Sequence, residues 1–116
     1  MTDSSLRFEQ LRVRYAQSLP SKHSALGDAW RAFEADPDAT NGRELQMMVH
    51  RLAGSAPAYG YPVLGQLASS IDGEFTEWEN VSPDGPPGAA LVEKIASPMR
   101  ALLDRLGELA AAKTAG

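Results

Sequence analysis

His50 is the residue of this chain best suited to chemistry, since an imidazole can be a nucleophile, an acid–base group or a metal ligand near neutral pH. A metal on a helix needs a second His or Glu three or four residues away. Those positions hold Gln46, Met47, Ala53 and Gly54, none of them a good ligand, so no metal is expected. Leu45, Met48, Val49, Leu52, Ala56 and Tyr59 recur at helical spacing and form one apolar face. His50 points roughly 140° away from Leu45, off that stripe. Around it the outward face carries Gln46, Met47, Ala53, Gly54 and Pro57, almost free of charge where surface helices usually place Lys and Glu. Gly54, one turn from His50, costs roughly 1 kcal/mol relative to alanine in a helix interior and lets another backbone come close. The pattern fits a surface on which something large docks and reaches His50; an oligomer interface or an idle surface histidine would fit the same residues. His23, three residues before Leu26, has no group at ligand or catalytic spacing and reads as a packed or partly solvated helix residue.

The bulk properties narrow the classes. A chain of 116 residues suits a single domain, 1–116, with one core and no deep active-site cavity. A net charge of −4 weighs against nucleic acid or an anionic membrane as the main partner. With no cysteine there is no disulfide framework, thiolate nucleophile or zinc–thiolate site. The start, MTDSSLRFEQ, has no apolar run, and no 18-residue apolar stretch follows. A reducing cytoplasm is the expected home.

The elements that must position His50 are all helical. Phe8, Leu11 and Tyr15 mark a first helix from Leu6 to about Ser18, with Asp3, Ser4 and Ser5 as candidate caps. Leu19-Pro20 should break or kink it. A second helix, Pro20 to about Glu34, carries Leu26, Ala29, Trp30 and Phe33. After the turn Ala35 to Gly42, Asn41 and Glu44 suggest a capping box for the third helix, which carries His50 and runs to about Ala58 with Pro57 in its last turn. Gly60 suits a left-handed cap and Pro62 the first turn of a fourth helix, so these two helices should form an antiparallel hairpin. The fourth helix, to about Glu79, buries Leu64, Leu67, Ala68, Ile71, Phe75 and Trp78. The loop-rich stretch Asn80 to Gly88 precedes a last helix, Ala89 to Ala112, in which Pro98 interrupts a stripe that stays in phase. No segment alternates with the two-residue period of a strand. The expectation is five helices, all-α.

His50-Arg51-Leu52-Ala53-Gly54-Ser55-Ala56, followed by Gly60, resembles the signature of histidine-containing phosphotransfer (HPt) domains, and the likeness runs through the hairpin to Ile71. Tyr15, Leu19 and Pro20 also look like the first-to-second helix junction of many bacterial members. The resemblance implies an up-down antiparallel four-helix bundle with an additional N-terminal helix, acting as a phosphorelay intermediate in two-component signalling. His50 would accept a phosphoryl group from a receiver-domain aspartate and pass it to another receiver. Gly54 would be the close-approach glycine and Gly60 the hairpin glycine. The partners implied are receiver domains of response regulators and of a hybrid histidine kinase. No cofactor is implied, because the Mg²⁺ belongs to the receiver. Autokinase activity is not expected, since the chain has no glycine-rich nucleotide loop.

Two positions depart from the family. Many members have lysine where this chain has Ala53, so charge for the phosphoryl oxygens would come from Arg43, Arg51 or a partner's lysine. Where members often have a glutamine that orients the imidazole, this chain has Asp72, with Ser69 one turn earlier as the milder alternative. The rival from another class is a helical interaction or dimerisation module without chemistry. An acid–base enzyme using His50 and Asp72 ranks lower, for want of a cavity.

Overall fold

Four helices, not five, account for the described residues, which are 2–81 and 88–115 of the computed structural model, with side chains described over 5–80 and 88–112. They are α1 (Thr2–Ala35), α2 (Ala39–Ala58), α3 (Pro62–Val81) and α4 (Gly88–Ala115). No strand occurs among the described residues, so the all-α expectation holds. The expected loop falls mostly at 82–87, outside the described residues. No described helix is long and apolar enough to cross a membrane.

The expected first and second helices are one, because Pro20 sits inside α1. Its missing N–H leaves the Ala16 carbonyl without a helical partner, at a cost of about 3 kcal/mol. The apolar stripe keeps its phase across the proline: Tyr15, Ala16 and Leu19 before it, Leu26, Trp30 and Phe33 after it, are all buried. Each large buried side chain stabilises the fold by roughly 1.5–3 kcal/mol, so burial outweighs the lost bond. Pro98 is likewise carried inside α4, as the in-phase stripe there predicts.

The start of α1 differs from expectation in two ways. Asp3, Ser4 and Ser5 lie within the helix rather than before it. Phe8 and Leu11, expected on the inner face, are 49% and 45% exposed. At about 1.5 Å per residue α1 spans roughly 51 Å and α2 or α3 only roughly 30 Å, so the first turns of α1 outrun the helices that would cover them.

Asp38, not Asn41, caps α2: its carboxylate accepts the Asn41 N–H at 2.8 Å from an extended backbone. The Asn41 side chain instead donates to the Asp36 carbonyl at 2.9 Å, tying α2 to the end of α1. At the other end, Gly60 adopts φ +96°. The Tyr61 N–H reaches the Ala56 carbonyl at 2.8 Å and the Gly60 N–H reaches Pro57 at 3.2 Å, the paired bonds of a Schellman cap. This closes α2 into α3 within three residues.

Helix α1 packs on α2 and α4, and α3 packs on the same two. The core between them is Leu45, Val49, Leu52 and Ala56 from α2, Leu64, Ala68, Ile71 and Phe75 from α3, and Leu91, Ile95, Met99, Leu102 and Leu106 from α4, with the α1 stripe. Leu67 and Trp78, expected inside, flank this core half-buried, as do Val92, Leu103 and Leu109.

Candidate functional site

The α2–α3 hairpin brings the site together. Gly65 of α3 lies so close to α2 that an added Cβ would overlap the Pro57 ring. Seven residues back along α2 is His50, and seven on along α3 is Asp72, the register of an antiparallel pair. There His50 Nδ1 and Asp72 Oδ2 stand 2.9 Å apart. The imidazole is 74% exposed and the carboxylate 21%. A carboxylate can only accept, so the ring nitrogen facing it carries the hydrogen. Nδ1–H therefore donates to Asp72, and the Nε2 lone pair is left free. Of the two orienting candidates the bond is made by Asp72; Ser69 is exposed and is not the ring's partner.

The surroundings of the ring are bare. A Cβ on Gly54 would meet nothing within 4 Å, and the residue is exposed. No internal contact and no positive φ requires a glycine there, so its helix cost has no return inside this chain. The same holds for Gly73, next to Asp72 on α3, which is exposed with nothing within 4 Å. Gly73 was missed in the sequence. The signal was a mid-helix glycine off the apolar stripe, the feature that singled out Gly54.

The other expected site residues separate. Met47 is 46% exposed and Gln46 half-buried. Ala53 is half-buried against the core. Pro57, although exposed, sets its ring over Gly65 and so fixes the helix spacing. Arg43 is exposed and, at about 100° per residue, lies on nearly the same face as His50 two turns earlier. Arg51 lines a groove shared with α1 and α4. His23 is half-buried, its Nε2 within 3.1 Å of where a Cβ on Gly107 would stand, so it packs on α4 as a structural residue. Among the described residues no three His, Cys, Asp or Glu side chains are grouped to hold a metal.

The arrangement can present one nucleophilic nitrogen to a partner that brings the other reactant. The groove between α1, α2 and α4 and the two along α1 are not lined by His50. Compared with family models, curated proteins and solved structures, the chain matches none.

Proposed function

We propose that this chain is a histidine phosphotransfer protein of the HPt type, an up-down antiparallel four-helix bundle that relays a phosphoryl group through His50. The observation that carries the reading is the His50 imidazole, exposed and held at Nδ1 by Asp72, with Gly54 one turn on along α2 and Gly73 next to Asp72 on α3, each with open space around it. The Nε2 lone pair attacks the phosphorus of an aspartyl phosphate on a receiver domain. The N–P bond forms as the bond from phosphorus to the aspartate oxygen breaks, and the aspartate leaves as a carboxylate. The ring keeps its Nδ1–H and gains positive character, which the Asp72 carboxylate opposite stabilises. The reverse attack, by a second receiver's aspartate, discharges the phosphohistidine. Mg²⁺ and the remaining charge on the phosphoryl oxygens come from the receiver, with Arg43 the residue of this chain on the same face. Partners of this kind are receiver domains of response regulators or of a hybrid kinase.

The test is transfer from a radiolabelled, phosphorylated receiver to the wild-type protein and to His50→Gln. Label should pass to the first and not to the second. Transfer that survives the substitution would sink the assignment. If His50→Gln still binds receivers and the wild type never acquires acid-labile phosphate, the chain is an interaction module instead.

A further inference from the structure

Away from His50, a groove of about 240 Å³ opens where α1, α2 and α4 meet. Leu26, Met48, Leu52 and Leu106 give it an apolar lining, and it is large enough to hold more than the roughly 150 Å³ apolar cavity that takes up benzene in another protein. Two cations border it from facing helices, Lys22 on α1 and Arg51 on α2. Among the described residues neither has a carboxylate within ion-pair distance, in a chain whose 15 acidic residues outnumber its 11 lysines and arginines. Lys22 is held in place: its ammonium donates to Ser18 Oγ at 2.7 Å and lies 4.8 Å from the centre of the Tyr15 ring.

We infer that this groove binds a small amphiphilic monoanion, a medium-chain alkyl carboxylate, with its headgroup between Lys22 and Arg51 and its tail on Leu26, Met48, Leu52 and Leu106. The volume lies just under that of drug-sized sites, which suits a tail of this size. The binding is independent of phosphotransfer, because no side chain of the groove is hydrogen-bonded to the His50–Asp72 pair.

The test uses octanoate below its micellar concentration and methyl-labelled methionine, read by nuclear magnetic resonance. The Met48 methyl, in the groove, should shift saturably while the exposed Met47 methyl stays put. Acetate, lacking the tail, and 1-octanol, lacking the charge, should each bind at least about tenfold more weakly. The Lys22→Gln/Arg51→Gln double variant should lose about tenfold in octanoate affinity, with helicity and melting temperature checked alongside. Ala25→Leu, which fills the groove from α1 and leaves both cations, should weaken octanoate as well. His50→Gln should bind octanoate normally. An unmoved Met48 methyl, octanol binding as tightly as octanoate, or full octanoate affinity in the double variant would each overturn the proposal.

Discussion

At the scale of single residues, the Asp72 carboxylate decides which nitrogen of His50 is free. Removing it should let the ring sample both tautomers. Asp72→Ala should therefore slow phosphoryl transfer by about tenfold or more, within the usual range for orienting a reactive group, while leaving stability nearly unchanged. Nitrogen-15 spectra of the imidazole should show Nδ1–H as the dominant tautomer in the wild type and a mixture in the variant. A single unchanged tautomer would remove Asp72 from the site. Gly54 and Gly73 make the opposite kind of prediction. With open space around each, Gly54→Ala or Gly73→Ala should raise the free energy of unfolding in urea by about 0.5–1 kcal/mol. Gly54→Leu or Gly73→Leu should fold equally well yet weaken receiver binding. Unimpaired binding would mean that neither glycine is there for a partner.

Among the elements, the α2–α3 hairpin sets the geometry that the residues use. Its spacing depends on Gly65 against Pro57, where a methyl group has no room. Gly65→Ala should cost about 1–3 kcal/mol in urea denaturation, the range for overpacking, and should lengthen the His50–Asp72 contact. A stability equal to wild type would show that the hairpin can open without penalty. Gly65 and Gly54 thus behave oppositely in the same substitution, because one faces a neighbouring helix and the other faces solvent. Helix α1 illustrates a different balance. Pro20 read in the sequence as a break or a kink between two helices, but six buried side chains in one phase hold a single helix together across it.

For the molecule as a whole, the end near the hairpin turn is closed by aromatic rings. Tyr15 stacks on Tyr59 at 4.6 Å and on Tyr61 at 5.8 Å, and its hydroxyl lies 2.8 Å from Ser55 Oγ, joining α1 to α2. Burial pushes the Tyr15 phenol above its ordinary 10; the Ser55 hydrogen bond pulls the other way, and Tyr61 and Tyr59 add to the rise. The folded state therefore holds this proton more tightly than the unfolded chain does. Its contribution is complete below about pH 10 and is lost as pH rises through the folded value. Urea denaturation between pH 8 and 11 should show stability falling less steeply in Tyr15→Phe than in wild type, from a starting point about 1 kcal/mol lower for the missing Ser55 bond. Parallel curves would rule out the burial effect. Phe8 still stacks on Tyr59 at 6.4 Å, yet Leu6, Phe8, Leu11 and Val13 on this part of α1 are four of the six large apolar side chains exposed among the described residues.

Periodicity in the sequence was enough for the all-α class, the core stripes of α2, α3 and α4, the Gly60 cap and the outward position of His50, because each follows from spacing along one helix. Helix count and caps needed more. Whether Pro20 ends a helix depends on what the next turn buries, and whether Asp38 or Asn41 caps α2 depends on where α1 stops. The partner of His50 also lay beyond local reasoning, since Asp72 and Ser69 both stood at plausible spacing until the Gly65–Pro57 contact set the register. Arg51 is the clearest case. One residue from His50 in the chain, it belongs by helical rotation to the groove on the α1 side, and only the packing of three helices made that groove.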